Sequence, residues 1–249
     1  MAMMPAAPSS RGEAARDPLP RPEDKRRAVR AMFDRIAPRY DVLNRVMSLG
    51  LDRSWRRFAL DAIHVGPGDR VLDLACGTGD LAAFAAARGA QVVGVDFALA
   101  MLGGARARSP RCKLAQADAA ALPLPDGWAS AVTCGFALRN FVSLPAVFAE
   151  LARVVAPGGR IALLDVDRPD TAWLRAGHAF WFDRVVPRVG GWLSDRQAYA
   201  YLPKSTVYLP PAAMLASQLA DSGFEKIAKR RLLFGSAQLW TAQRGKPSR

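Results

Sequence analysis

Histidine and cysteine are nearly absent: the 249 residues hold two histidines, His64 and His178, and three cysteines, Cys76, Cys112 and Cys134. They form no Cys-x-x-Cys pair and no even-numbered framework, which argues against a disulfide-stapled secreted scaffold and for a reduced, cytoplasmic setting. The same scarcity leaves no metal-ligand cluster, so no metal is expected. Long apolar runs are missing as well, and without ~18 consecutive apolar residues nothing here is expected to span a bilayer. Residues 1–22 are rich in Ala, Pro and Ser and lack the apolar centre of a signal peptide, so a disordered tail is expected there. No internal repeat is present.

Acidic residues are also in deficit, 22 against 35 basic ones, giving a formal charge of +13 and a pI near 10.6. Such a balance attracts anionic partners such as nucleic acid or a phospholipid surface. A compositional bias toward arginine competes with that reading, since 29 of the basic residues are Arg and 6 are Lys. Ten basic residues against three acidic ones lie between Lys25 and Arg57. That stretch reads either as a solvated face or as a peripheral contact with an anionic membrane. With 51% hydrophobic residues, the chain can bury the core of one α/β domain with additions.

What is present centres on Arg70-Val71-Leu72-Asp73-Leu74-Ala75-Cys76-Gly77-Thr78-Gly79-Asp80. An apolar β-type run ends in a Gly-x-Gly turn, and Leu81 to Ala87 follows with good helix formers. Strand, glycine turn and helix start make a nucleotide-binding corner, because residues without Cβ let a ligand approach the backbone and the new helix offers it free N–H groups. Read as Gly77-x-Gly79-x-x-Ala82, with Asp96 ending the next apolar run Gln91 to Asp96, the corner satisfies the loose dinucleotide fingerprint. Asp73 separates the two ligands that fit. A carboxylate four positions ahead of Gly77 repels a diphosphate, whereas S-adenosylmethionine brings a sulfonium and an ammonium and no phosphate. The plainer reading of Asp73 is a cap for the coming turn. Asp96 is the candidate acceptor for ribose hydroxyls.

Upstream, Pro22 to Arg35 reads as a basic helix with Lys25, Arg26, Arg27 and Arg30 outside and Val29, Met32, Phe33 and Ile36 inward. Pro38 breaks it, and Asp41 is placed to cap the next helix. Trp55, Phe58, Ala59, Ala62 and Ile63 recur at helical spacing from Asp52 onward. Downstream, a helix at Leu99–Arg108, a strand at 113–117 and the residues Asp118 and Ala119 come first. A strand at Ala129–Cys134 and a helix from Leu144 stopped at Pro157-Gly158-Gly159 follow, then a strand at Arg160–Val166. A helix at Pro211–Asp221 and strands at 224–233 and 237–242 finish the chain. Alternation of strands and helices predicts an α/β, doubly wound, mostly parallel sheet with right-handed crossovers and a ligand at the strands' carboxyl ends.

Four segments then carry a resemblance: Phe33 to Asp41 with Asn44 and Ser48-Leu49-Gly50-Leu51; Asp73 to Asp80; Phe136-Ala137-Leu138-Arg139-Asn140; and Tyr199-Ala200-Tyr201-Leu202-Pro203-Lys204-Ser205. The chain resembles the quinone-biosynthesis C-methyltransferases that act on demethylmenaquinol and 2-polyprenyl-6-methoxy-1,4-benzoquinol, from about residue 25 to 244. The resemblance implies a class I S-adenosylmethionine (Rossmann-like) methyltransferase fold over 23–249, with N-terminal helices at 23–66 and a substrate lid at 170–210. It implies cofactor contacts from Thr78, Asp96, Asp118 and Ala119, beside Asp73, Gly77, Gly79, Phe97 and Gly135. The substrate implied is a polyprenyl quinol, with no nucleic acid partner; a pairing of two copies is compatible with it. Departures from the family's pattern are Gly135 in place of a polar residue, Asp165-Val166-Asp167-Arg168-Pro169 in place of Glu-Phe-Ser-Lys-Pro, and Trp240 in place of a histidine.

The chemistry asks for a cation. A phenol-type hydroxyl has a pKa near ~10, and a fixed positive charge lowers it by roughly 1–3 units, which makes the ring more nucleophilic. Arg139, at the end of the fourth strand, is the candidate, with an Arg paired to a carboxylate for structure as the competing reading. Tyr40 and Asn44 are candidates to close the site or to bind a quinol oxygen. The aromatic stretch Ala172 to Leu193 is expected to shelter an isoprenoid tail or to pack in the core. Rival functions are a nicotinamide-dependent oxidoreductase, disfavoured by Asp73, a nucleic-acid methyltransferase, disfavoured by Cys134-Gly135-Phe136-Ala137 where an Asn/Asp-Pro-Pro-aromatic run belongs, and a silent scaffold protein.

Overall fold

Seven strands form one sheet in the order β3-β2-β1-β4-β5-β7-β6. The computed structural model describes residues 24–167, 201 and 204–246. The expected tail at 1–22 and the aromatic stretch at 172–193, with most of the expected lid at 170–210, lie outside the described residues. Strands β1 (Arg70–Leu74), β2 (Gln91–Asp96), β3 (Lys113–Gln116), β4 (Ala129–Gly135) and β5 (Val155–Val166) run parallel. Strand β7 (Ala237–Arg244) pairs antiparallel with both β5 and β6 (Phe224–Leu232). The strand order reverses between β1 and β4, which opens a crevice at their carboxyl ends.

Both faces are covered. Helices α3 (Asp52–Ala62) and α4 (Asp80–Ala86) lay Ala59, Leu60, Leu81, Ala82 and Ala85 on one face, against Val71, Ala131 and Leu239. Helices α6 (Leu144–Val154) and α7 (Ala212–Asp221) lay Phe148, Leu151, Leu215 and Leu219 on the other, against Leu72, Val132 and Leu163. Ser143 caps α6 through Ala146 N–H. Central strands buried on both faces explain the continuous apolar runs of β1 and β4.

Helices α1 (Lys25–Ile36) and α2 (Tyr40–Met47) and helix α5 (Leu99–Arg108) build a third cluster, in which Val29, Met32, Phe33 and Ile36 pack with Ala98, Met101 and Tyr201. Pro38 falls in a 3-10 turn, Ala37–Arg39, between α1 and α2. Three expectations change here. Lys25 is buried rather than outside: its ammonium donates to Phe141 O at 2.7 Å and stands 4.0 Å from the Tyr208 ring centroid. Desolvation lowers its pKa to about 8. Asp41 does not cap α2, whose first residue is Tyr40 and which has no side-chain cap. Strand β5 begins five residues early, at Val155, because Val155 pairs with Ala129 and Arg160 with Ala131. Pro157-Gly158-Gly159 is thus a bulge inside the strand, a place that tolerates Pro and Gly.

Gly79 has φ +84°, and a Cβ on it would lie 3.1 Å from Ala105 Cα and Cβ on α5. Replacing Gly79 by Ala is expected to lower ligand-free stability by about 1–3 kcal/mol, read as a lower urea midpoint with unchanged slope.

Candidate active site

At the carboxyl ends of β1, β2 and β4 lies a cavity of about 460 Å³. Its floor is Leu74, Ala75, Val95, Asp96 and Gly135; Ala117, Asp118 and Ala119, after β3, close one side; Phe33 and Tyr40 of the N-terminal helices roof it. Phe33 and Tyr40 meet edge to face at 5.9 Å. The far end, Phe141, Val142 and Val147, is apolar, and Val142 is exposed at its rim.

Two buried carboxylates hold the glycine turn. Asp96 accepts from Gly77 N at 2.8 Å and from Ala98 N at 2.9 Å. Asp73 accepts from Ala82 N at 2.9 Å and from the Thr133 hydroxyl at 2.9 Å. The plainer reading of Asp73 is therefore realised: from the middle of the sheet it caps α4, while its side chain also lines the small annex described below. Burial raises the Asp73 pKa to about 7, against the pull of Thr133, Ala82 and the Arg56 charge. Burial likewise raises Asp96 to about 6, against its backbone donors. The backbone is left-handed at Ala75 (φ 51°) and Phe136 (φ 62°), the residues that follow β1 and β4. Non-glycine residues hold that conformation only where their surroundings enforce it.

Of the residues read from the sequence, Tyr40, Gly77, Asp96, Phe97, Asp118, Ala119 and Gly135 line the cavity together. Thr78 lies outside it, in the annex, a polar recess of about 20 Å³ that shares Tyr40, Ala75, Gly77 and Gly135 with the cavity and adds Arg56, Asp73, Thr78 and Asp80. The Thr78 hydroxyl donates to Asp41 at 2.5 Å and accepts from Arg108 at 3.0 Å, while Arg108 pairs with Asp41 and, at 3.0 Å, with Asp80. Burial works against the Asp41 carboxylate, but Arg108 and Thr78 outweigh it and hold its pKa below the usual range. Gly79 serves helix packing and lines neither space. Asp118 caps its own loop through Ala120 N and pairs with Arg26 at 2.8 Å. A Cβ on Gly135 would lie 2.9 Å from Leu81 Cδ1, so Leu81 packs into the space that a side chain would enter here.

The catalytic candidates divide. Tyr40 is in the cavity wall; desolvation raises its phenol pKa against an Asn44 hydrogen bond and the charges of Arg56 and Arg139. Asn44 is buried one turn on, hydrogen-bonded to Tyr40, and is not among the residues that line this cavity or the annex. Arg139 requires a correction. Its guanidinium is an ion-pair partner of Asp165, donates to Phe136 O at 2.9 Å and to the Ser205 hydroxyl at 3.1 Å, and does not line the cavity. Burial in which the Arg139 side chain is 5% and that of Asp165 0% exposed demands that pairing. The third and fourth segments of the resemblance meet here, since Tyr201 also donates to Asn140 Oδ1 at 3.1 Å.

The donor set suits a cationic nucleoside. Buried carboxylates sit at the turn, and among the described residues the cations that line the two spaces, Arg26 and Arg56, are each paired with a carboxylate and form no cluster for a diphosphate. A family model described as the ubiE/COQ5 methyltransferase family matches residues 21–244. The chain belongs to that family. Its members are S-adenosylmethionine-dependent C-methyltransferases, and so is this chain. A demethylmenaquinone methyltransferase of Deinococcus radiodurans is 42% identical over 92% of this chain and 98% of its own length. A ubiquinone/menaquinone biosynthesis C-methyltransferase UbiE of Geobacter sulfurreducens is 39% identical over 89% of this chain and 90% of its own. In fold, the chain is similar to a methyltransferase solved with its Trm112 activator from Haloferax volcanii, with TM-score 0.62 at 17% identity over 86% of this chain and 97% of that one.

Sequence reasoning missed Arg56 and Asp52, both buried and paired. Their signal was there: 52, 56, 59 and 63 share the inward stripe of α3.

Two outcomes are expected of the methyltransferase. Arg139→Ala leaves the buried Asp165 without its cationic partner and is expected to cost about 3–5 kcal/mol of stability by urea titration. Folded Asp73 keeps its proton to about pH 7, against 3.8 as the ordinary value, so the folded state binds more protons between them. Its contribution is whole below pH 3.8 and lost as pH rises toward 7, and Asp73→Asn is expected to flatten the fall in urea midpoint over that window.

Proposed function

We propose that this methyltransferase alkylates a ring carbon of a polyprenyl quinol, and that the substrate is demethylmenaquinol, converted to menaquinol. The observation that carries this is the 42% identity to a demethylmenaquinone methyltransferase across nearly the whole of both chains. A cavity with a polar nucleoside end and an apolar end open at Val142 supports it. A benzoquinol substrate is the second reading, supported by the relative whose name joins ubiquinone and menaquinone.

In this reading S-adenosylmethionine supplies an electrophilic methyl carbon. Asp96 and Phe97 hold the nucleoside, with Asp118 and Ala119 beside it, while Gly77, Gly135 and Thr78 let the remainder lie against the backbone. At pH 7 only about one quinol hydroxyl in a thousand is ionised. Tyr40, kept neutral by burial, donates to a quinol oxygen and stabilises charge that develops there. Asn44 fixes its ring. Arg139 acts from behind: paired with Asp165, it holds Phe136 in its left-handed conformation and thereby sets the Phe136–Asn140 wall against which the ring lies. Placement of this kind removes several kcal/mol of barrier.

One catalytic domain over 23–249 is proposed, with 170–210 as its lid. No helix among the described residues is long and apolar enough to cross a membrane. Substrate is taken from a bilayer through peripheral contact of the cavity rim, where Val142 is exposed and Arg26, Arg27 and Arg30 supply positive charge.

The test is purified enzyme with S-adenosylmethionine and chemically reduced short-tailed demethylmenaquinone or demethylated benzoquinone, with products resolved by mass spectrometry. A singly methylated naphthoquinol is expected. Methylation of the benzoquinol alone, or of neither, overturns the substrate. Tyr40→Phe is expected to lower kcat roughly 10- to 1000-fold with little change in cofactor affinity.

A further inference from the structure

The cavity lies at the carboxyl ends of the strands, and the apolar surface of the protein is gathered at the same end. Among the described residues, exposed Val, Leu, Met and Phe side chains follow strand ends at Leu99 (after β2), Val142 (after β4) and Leu233 and Phe234 (after β6). Val42 is on α2 in the roof and Leu49 just after it, Val207 adjoins the Ser205 that accepts from Arg139, and Met214 is in the first turn of α7, the end remote from the start of β6. The loops at the opposite end, 64–69, 87–90, 109–112 and 125–128, expose no such side chain. Single apolar side chains scattered over a surface need no explanation, whereas a one-sided distribution marks a contact face.

The turn between β6 and β7 is the part of that face that folding explains least. Phe234 is 78% exposed at its tip. The backbone is left-handed at Leu233 (φ 43°) and Phe234 (φ 51°), and again at Gly235 (φ 89°). Gly or Asn would hold this conformation at less cost, and a ring this exposed offsets little of that cost by packing. The turn is nevertheless fixed. Ser236 N donates to Leu233 O at 3.0 Å, and Asp167 N, just after β5, donates to Ser236 O at 3.0 Å. A bulky ring is thus presented outward on a restrained loop.

Position and charge indicate what it meets. Neighbouring strands lie ~4.8 Å apart, so the three spacings of β4-β5-β7-β6 set the tip about 14 Å along the sheet edge from Val142. Arg230 and Arg231 directly precede the tip and are exposed, as are Arg39 and Arg45 near Val42 and Leu49. Carboxylates at this end already face cations, Asp34 with Arg30, Asp41 with Arg108, Asp118 with Arg26 and Asp167 with Lys229, so the excess charge is positive. Apolar side chains among positive charges match the surface of an anionic phospholipid bilayer, and the same charge repels a second copy of this face. We propose that the β6–β7 turn is a bilayer anchor: Phe234 and Leu233 enter the headgroup region of an anionic membrane, Arg230 and Arg231 meet its phosphates, and the turn and Val142 together set the cavity mouth against the lipid. This rests on the bilayer contact proposed above for the cavity rim and deepens it, because a second, distant point of contact fixes the orientation of the enzyme.

The test uses the full-length protein, without substrate, and vesicles of phosphatidylcholine alone or with anionic phosphatidylglycerol added, with bound protein measured by sedimentation. The wild type is expected to favour the anionic vesicles. Phe234→Asn is expected to bind them about 5- to 50-fold more weakly, with unchanged affinity for S-adenosylhomocysteine and a urea midpoint no lower than wild type, because Asn tolerates left-handed backbone. Cys76, Cys112 and Cys134 are buried, which leaves introduced thiols open to labelling. A polarity-sensitive dye on Phe234→Cys is expected to shift to the blue on anionic vesicles, and the same dye on Asp126→Cys, in the loop before β4, to stay unshifted. A wild type that binds neither vesicle overturns the bilayer reading of the rim as well. Wild-type binding by Phe234→Asn, a lowered urea midpoint in that variant, or equal shifts at the two labels overturns the anchor alone, and equal binding to both vesicles overturns the anionic assignment. A dye at position 234 already shifted without vesicles also overturns the anchor, in favour of cover by residues 168–203 if the shift is independent of protein concentration and by a second copy if it grows with it.

Discussion

Two carboxylates buried at neighbouring strand ends hold the backbone of the glycine turn, and the site depends on that restraint. Asp96 takes Gly77 N–H and Asp73 takes Ala82 N–H, so the loop between β1 and α4 is fastened at both ends to the sheet. Buried amides without partners are costly, and burying a carboxylate without donors is costlier. Each group answers the other. The shape that results, a backbone left bare of side chains at Gly77, is what lets a ligand lie along the turn.

Around that anchor the protein stacks further pairings of opposite charge. Asp41, Thr78, Arg108 and Asp80 join α2 and α5 to the start of α4, and Asp52–Arg56 brings α3 to the same place. Arg139–Asp165 fastens the end of β4 to β5. Buried ion pairs contribute little net stability against apolar alternatives but fix geometry, because either partner alone is strongly disfavoured. The first two groups line the annex through Thr78, Asp80 and Arg56, and the third lies behind the wall, where Arg139 holds Phe136 O. A cavity that must orient a large apolar ring against a charged donor benefits from walls that do not move.

Much of this was legible in the residues. Strand and helix positions followed from alternating apolar runs and glycine stops, and the observed ends differ by a few residues except at β5. There a register shift against β4 absorbs Pro157-Gly158-Gly159, which no local signal announces. Seven of the expected site residues line the cavity, six of them because they stand at or just after carboxyl ends of strands, a place set by topology, while Tyr40 reaches it from α2. Asp41 does not cap α2 as expected, and Arg139 takes the competing reading, a buried pair with a carboxylate. Both carry the charge expected, but whether a charge faces a ligand or a partner depends on residues far away in the chain, Arg108 in one case and Asp165 in the other.

The sequence by itself determined the doubly wound sheet, the position of the glycine corner and the resemblance to a methyltransferase family, because these rest on periodicity and on short motifs whose physics is local. The tertiary structure alone decided that Lys25 turns inward to Phe141 and Tyr208, that Asp73 caps α4, that Asn44 supports Tyr40 and that Arg56 reaches the turn. A buried polar group must find its partner in three dimensions, and a linear pattern states which groups need partners without stating which they obtain.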